Sequence, residues 1–323
     1  MKDFEHVNAK SFDEAATLLA DGKSAVIAGG TDLIYGMKGM HSPNLPDKVV
    51  NIKTIPNADY IKEEGGVIKI GALAKLTAIA KSSIVLSKAP ALAEAAKLVA
   101  SPELRNMGTI GGNICQKPRC IYYRNEFNNF ACARKVKGAP CFALTGVHRY
   151  HSIFGAVGGC FAVCPSDTAV ALVALGAKIV TTKKTWDAVD FFVVPNKDYG
   201  TAHGEQINAI DIDEVVKEIQ VPAAAKSTYV KWSFRKAIDF PQCSAAVVLD
   251  GNKATVALGG VYNTPKLFTD VAASDAAAAG EACVKGATGM NTPRADGGAD
   301  RFSNGYKIQI TKVLVKRAIE SLK

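Results

Sequence analysis

The stretch AGGTDL at 28–33 decides how this chain is read. The apolar run leading into it, 24–28, has the length of a short buried strand. It passes directly into Gly29 and Gly30, followed by Thr31, Asp32 and Leu33 in a helix-capping pattern. Such a junction brings backbone N–H groups close to an anion, and a helix N-terminus favours phosphate. A second glycine pair closes SPELRNMGTIGGN at 101–113, in Thr109, Ile110, Gly111, Gly112 and Asn113. Thr31, Thr109 and Asn113 add side-chain donors. Neither segment fits G-x-G-x-x-G or G-x-x-x-x-G-K-[ST], so the ordinary dinucleotide and P-loop readings are weak. Taken singly, each is more simply a tight turn.

Between the second glycine pair and residue 164 the pattern changes. Six of the eight cysteines fall here: Cys115, Cys120, Cys132, Cys141, Cys160 and Cys164. Seven basic residues (Lys117, Arg119, Arg124, Arg134, Lys135, Lys137, Arg149) face one acid, Glu126. The window has no sustained period and reads as an irregular insertion held by something other than a core. A long chain without an apolar leader is a poor candidate for disulfide staples, so the thiols point to metal or redox chemistry. Paired C-x2-C knuckles are absent, which disfavours a zinc finger or ribbon. Four thiolates on an irregular loop suit an iron–sulfur cluster, and a basic surround would offset its negative charge. Spacing alone leaves structural zinc as a competitor. Cys243 and Cys283 stand alone and read as buried free thiols.

The 323 residues are 48% hydrophobic and 21% charged, which excludes wholesale disorder and suggests two domains. No apolar run reaches the ~18–20 residues of a membrane helix. With no apolar leader core in its first residues, the chain reads as cytoplasmic unless a partner carries it to the periplasm. The net charge of +9 invites a nucleic-acid reading. It resolves instead into the cysteine window and a basic C-terminal segment, 301–323, read as a solvated or subunit-facing helix. No Ser/His/Asp constellation or metalloprotease motif is present, and no catalytic residue is assigned. Outside the window the pattern is α+β. A capping box at Ser11 and Glu14 opens a helix. Strands are expected at 48–52, 178–182, 228–234, 245–249 and 255–261, with a hairpin over 60–70. Helices are expected at 76–81, 91–100, 166–175, 270–281 and 313–322. Residues 101–113 read as turn-rich, 286–301 as a loop, and a boundary falls near 222–227.

In order, AGGTDL (28–33), SPELRNMGTIGGN (101–113), PSDTAVALVALGA (165–177) and NGYKIQITKVLVKRAIESL (304–322) resemble the FAD-binding subunit of molybdenum hydroxylases. That is the xanthine dehydrogenase, aldehyde oxidase and carbon monoxide dehydrogenase group. The resemblance implies a PCMH-type FAD-binding domain over 1–222 and a CO-dehydrogenase-flavoprotein-like C-terminal domain over 225–323. Most members run straight from TIGGN to PSD. The cysteine-rich insertion, about 113–164, is most similar to the subtype with an extra [4Fe-4S] cluster, the periplasmic aldehyde oxidoreductase type, and more distantly to 4-hydroxybenzoyl-CoA reductase. By position it implies Cys120, Cys132, Cys141 and Cys160 as ligands, with Cys115 and Cys164 as extras, and it favours iron–sulfur over zinc.

The same resemblance implies that Ala28, Gly29, Gly30, Thr31, Asp32 and Leu33, with Thr109, Gly111, Gly112 and Asn113, wrap the FAD pyrophosphate and ribityl chain. Asp167 would bond to the adenosine or ribityl part, and Lys231 or Arg235 would lie near the flavin's polar edge. Implied partners are a large molybdopterin-binding subunit, a small subunit with two [2Fe-2S] clusters and an external electron acceptor. Neither nucleic acid nor membrane insertion is expected. The competing readings are a stand-alone FAD-dependent oxidase and a basic nucleic-acid-binding protein with a four-cysteine metal site.

Overall fold

A computed structural model describes residues 1–292 and 300–323. The chain opens with β1 (Glu5–Asn8), α1 (Phe12–Leu19), β2 (Ser24–Ile27), α2 (Leu33–Lys38) and β3 (Lys48–Asn51). The three strands form a small parallel sheet with β3 in the centre. The Ser11 hydroxyl accepts from Glu14 N, and a Glu14 carboxylate oxygen accepts from Lys10 N, 2.6 Å away. The pair thus satisfies the Glu14 amide in the first turn and the Lys10 amide just before the cap.

The chain continues through β4 (Ile61–Glu64), β5 (Val67–Gly71), α3 (Leu76–Lys81), α4 (Ser83–Lys88), α5 (Pro90–Leu98), α6 (Pro102–Met107) and α7 (Ile110–Ile114). The cysteine-rich window follows, with only two short 3-10 turns. After it come α8 (Asp167–Ala174), β6 (Lys178–Thr181), β7 (Thr185–Asp187), α9 (Ala188–Phe191) and β8 (Val216–Pro222). A five-stranded sheet in the order β4-β5-β8-β6-β7 carries this part. All eight residues of α8 are buried. A helix apolar on every face belongs inside, and α8 is packed among α5, α7, β10 and β11.

The last part is an antiparallel sheet of β9 (Ser227–Trp232), β10 (Cys243–Asp250), β11 (Lys253–Gly259) and β12 (Lys266–Ala272), covered by α10 (Ala276–Cys283) and α11 (Tyr306–Ser321). Gly251 and Asn252 make the tight turn between β10 and β11. One core links Ile68, Leu92, Leu172 and Ile219 to Tyr229, Ala246 and Ala257, so apolar packing runs on across residues 222–227.

Several expectations need correction. Residues 101–113 are not a turn-rich run but two short helices, capped by the Ser101 and Thr109 hydroxyls. The helix expected from 270 begins at Ala276, because 266–272 is a strand paired with β11. Asp275 caps it, accepting from Ala277 N and Ala278 N. The C-terminal helix begins at Tyr306 rather than 313, and its Lys307 is fully buried rather than solvated. The expected loop over 286–301 lies in part outside the described residues.

Candidate functional site

A cavity of about 1270 Å³ opens beside the first sheet, larger than the usual ~300–1,000 Å³ of small-molecule sites. Both glycine segments line it. Ala28, Gly29, Gly30, Thr31, Asp32 and Leu33 form one wall, and Thr109, Gly111, Gly112 and Asn113 form the facing one. The two walls meet through backbone. A Cβ on Gly29 would stand 2.2 Å from the Met107 carbonyl oxygen, so only glycine permits this approach. Gly30 has φ +73°, the left-handed conformation that glycine adopts without cost. Thr109 Oγ1 accepts from Gly112 N at 3.2 Å and caps α7. Asn113 Oδ1 accepts from the Ser166 hydroxyl at 2.6 Å and from the Thr168 hydroxyl at 2.7 Å. This ties α7 to the start of α8.

Asp167 also lines the cavity, but its oxygens are occupied. One accepts from the Tyr229 hydroxyl and the other from Lys231 Nζ at 2.8 Å. Burial pushes the Asp167 carboxyl up, and Lys231 and Tyr229 pull it back without cancelling the rise. Lys231 is therefore the counter-ion of Asp167, behind the wall. Arg235 is 73% exposed, is not among the cavity-lining residues and pairs with Asp239, which is.

Asp32 does not cap α2. Its carboxylate accepts from Arg124 at 2.7 Å, Arg119 at 2.8 Å and the Lys117 amide at 2.9 Å. Burial alone would raise its pKa, but the two guanidiniums and the amide outweigh it and hold the carboxyl below its usual range. All three donors come from the cysteine window, so the insertion is latched onto the first glycine loop. A second buried acid does similar work. Glu205 accepts from Lys117 Nζ at 2.7 Å, the Tyr123 hydroxyl at 2.6 Å, Asn44 Nδ2 at 2.9 Å and the Ser42 hydroxyl. Neither Glu205 nor these donors carried a local sequence signal beyond the window's basic excess.

Within the window, Cys120, Cys132, Cys141 and Cys160 line one small void, together with Tyr122, Tyr123, Ala133, Arg134, Phe142 and Ala162. All four are free thiols. Cys115 instead lines the large cavity, and Cys164 packs into the main core. Among the described residues no three His, Cys, Asp or Glu side chains are grouped so as to hold a metal ion; the four thiols surround a space rather than meet at a point. N–H groups surround the sulfurs. Arg134 Nε donates to Cys160 at 3.2 Å, and Ala162 N donates to it at 3.4 Å. Cys120 lies 3.2 Å from His151 Nε2. Burial raises the Cys120, Cys132 and Cys141 thiols and outweighs the downward pull of nearby amides: Tyr122 and Tyr123 at Cys120, Arg134 and Lys135 at Cys132, and Phe161 and Ala143 at Cys141. Burial pushes the Cys120 thiol up to about 12; a bound metal inverts that, because a coordinating thiol is deprotonated outright.

The C-terminal helix holds this region from outside. Lys307 Nζ donates to the carbonyls of His151 and Gly260 at 3.0 and 2.8 Å. Asn304 Nδ2 donates to His151 O and Ser152 O, both at 3.0 Å, and the Tyr306 hydroxyl to Arg149 O at 3.0 Å. Tyr123 lines both the void and the large cavity, and is the lining residue they share among those described. No helix among the described residues is long and apolar enough to cross a membrane.

Comparison with known proteins agrees with this geometry. Residues 2–224 match the family described as the FAD binding domain in molybdopterin dehydrogenase. The chain is 31% identical over 247 residues to the aldehyde oxidoreductase FAD-binding subunit PaoB of Escherichia coli (strain K12), covering 74% of this chain and 75% of that one. It is 28% identical to the carbon monoxide dehydrogenase medium chain of Afipia carboxidovorans, over 99% of this chain and 96% of that one. The fold matches a carbon monoxide dehydrogenase structure from Hydrogenophaga pseudoflava with a TM-score of 0.68 at 24% identity, covering 99% and 97% of the two chains. This α+β chain is a member of the FAD-binding family of molybdopterin dehydrogenases, an oxidoreductase subunit of the molybdenum hydroxylase type.

Proposed function

We propose that the chain is the electron-transfer flavoprotein of a three-subunit molybdenum hydroxylase, holding FAD in the large cavity and a [4Fe-4S] cluster at Cys120, Cys132, Cys141 and Cys160. A large molybdopterin-binding subunit would carry out the organic oxidation or reduction, and a small subunit with two [2Fe-2S] clusters would connect the two. Bound FAD supplies a centre that takes electrons singly and releases a pair to an external acceptor. This chain's residues bind and orient it. The glycine segments give close backbone approach for a pyrophosphate, and Asn113 and Thr109 fix the facing wall. The 1–222 and 225–323 division would then separate an FAD-binding part from a covering part.

The observation that carries the cluster reading is the arrangement of the four thiols around one void, with Arg134 Nε and Ala162 N donating to Cys160. Four sulfurs spread around a space suit a cube in which each thiolate meets its own iron. A single zinc would draw all four to ~2.3 Å from one point. The basic residues of the window also argue against the nucleic-acid reading, because Lys117, Arg119 and Arg124 are already paired with Glu205 and Asp32.

The test is the visible spectrum and metal content of the purified protein. Flavin bands with a broad iron–sulfur shoulder and about four irons per chain are expected. Flavin without iron favours the stand-alone oxidase, and a colourless zinc protein the nucleic-acid alternative. Cys132→Ser should abolish the iron signal and slow acceptor reduction while FAD is retained; Cys164→Ser should keep the iron. Residence in cytoplasm or periplasm follows from whether a partner carries an export signal, which cell fractionation decides.

A further inference from the structure

Arg134 is 1% exposed, and no carboxylate pairs with it among the described residues. Its partners are Gln206 O at 2.8 Å, the Tyr199 ring at 5.5 Å and Cys160 Sγ at 3.2 Å; its Nη2 has no hydrogen-bond partner among the described residues. The next residue, Lys135, is 2% exposed, and its Nζ, also unpartnered, stands 5.3 Å from the centre of the Tyr123 ring. Two buried cations in succession without an anion are costly, because a desolvated charge needs an opposite one. A neutral thiol is a poor partner for a guanidinium. Negative charge in the void beside them would supply the missing partner.

His151 addresses the same group from the other side. Its Nε2 is 3.2 Å from Cys120 Sγ, and its Nδ1 is unpartnered. The ring packs beside Tyr122, with centroids 6.2 Å apart. Its backbone carbonyl is gripped by Lys307 and Asn304. Lys307 of α11 and Asn304 just before it therefore hold the backbone of this residue in place.

We infer that Arg134 and His151 set the reduction potential of the cluster held by the four cysteines, by donating N–H···S hydrogen bonds to Cys160 and Cys120. This rests on the iron–sulfur reading above and says what two further residues do for it. One-electron reduction adds one negative charge to the cluster and its thiolates, with no bond broken and no proton taken up. A fixed cation and aimed N–H groups stabilise the reduced form more than the oxidised one, so they raise the potential. The electron comes from the organic substrate oxidised in the proposed complex, or from dithionite in the test.

The test compares the isolated protein with Arg134→Leu, Arg134→Lys and His151→Phe by redox titration followed by electron paramagnetic resonance, with iron and sulfide content as the loading check. Lys137→Ala, an exposed cation of the same loop, is the control. At the wild-type midpoint the Arg134→Leu cluster should be at least tenfold more oxidised than reduced, a fall of about 59 mV for one electron. His151→Phe should fall in the same direction by a smaller amount. Arg134→Lys should recover part of the loss, and Lys137→Ala should not move. Loaded variants whose midpoints match wild type would overturn the inference. So would loss of iron from Arg134→Leu together with unshifted midpoints in the other two, or loss of iron from all three, since either outcome makes the role structural. Absence of any [4Fe-4S] signal from the wild-type protein would instead overturn the cluster assignment itself.

Discussion

Replacing Lys231 with methionine keeps the length of the side chain and removes one charge from behind the wall of the cavity. Lys231 and Asp167 have side chains only 6% and 3% exposed, and they meet at 2.8 Å. Lys231 also donates to Leu98 O at 3.0 Å, tying β9 to the end of α5. Removing one member of such a pair leaves a buried charge uncompensated, which costs about 3–5 kcal/mol. At about 2–4 °C per kcal/mol for a domain of this size, the melting temperature should fall by about 6–20 °C. The loss should depend on pH in a direction the structure fixes. Burial already lifts the Asp167 carboxyl above its ordinary 3.8, against the pull of Lys231 and Tyr229. Without Lys231 the lift grows. A carboxyl whose folded pKa is raised leaves stability intact below its unfolded pKa, and stability is lost as pH rises through the folded value. The deficit of Lys231→Met relative to wild type should therefore be large at pH 7.5 and shrink towards pH 4. The double variant Asp167→Asn/Lys231→Met, which buries no charge, should recover much of it. Thermal unfolding followed by circular dichroism at the two pH values measures all three. A deficit that is the same at both, or below about 1 kcal/mol, refutes the argument that an isolated buried charge is responsible.

Two further substitutions probe the walls of the cavity. Gly29→Ala places a methyl 2.2 Å from the Met107 carbonyl oxygen, a backbone atom that cannot swing aside. The two glycine segments must then separate, and flavin retention on gel filtration should drop at least tenfold, an effect of about 1.4 kcal/mol or more; full flavin content would show that their contact is dispensable. Asp32→Asn removes the negative charge that Arg119 and Arg124 pair with, so the cysteine window should be cut faster by protease at neutral pH while wild type resists. Because the Asp32 carboxyl is held below its usual range, the latch contributes fully above the unfolded pKa and is lost only as pH falls through that lowered value. Wild-type protease resistance should therefore persist to below pH 4, and earlier loss would contradict the pairing.

What was legible in the chain was what is encoded locally. Ser11, Ser101, Thr109 and Ser166 each accept from an amide three residues on, and such caps can be read from neighbouring residues alone, although at Ser101 and Thr109 the helices they begin are too short for periodicity to reveal. The apolar run of α8 reads as a buried helix for the same reason. The four cysteines were separable from Cys115 and Cys164 by resemblance but not by spacing, because what separates them is direction. Cys115 ends α7 facing the cavity, and Cys164 enters the core beside α8. Long-range charge pairing was not legible, and it changes the meaning of the basic window. Read as a sum, its seven cations looked like compensation for one anionic group. In the fold Arg119 and Arg124 serve Asp32, 87 and 92 residues away, and Lys117 serves Glu205, 88 residues away. These three fasten the insertion to Asp32 in the cavity wall and to buried Glu205. Of the window's seven cations, Arg134 and Lys135 are buried without a carboxylate hydrogen-bonded to them among the described residues, and both stand beside the thiols. A loop without periodic structure thus uses its charge twice, once to dock and once to face the site it encloses. The second use would be met by an anion there, which neutral thiols do not provide and the proposed thiolate-bound cluster would.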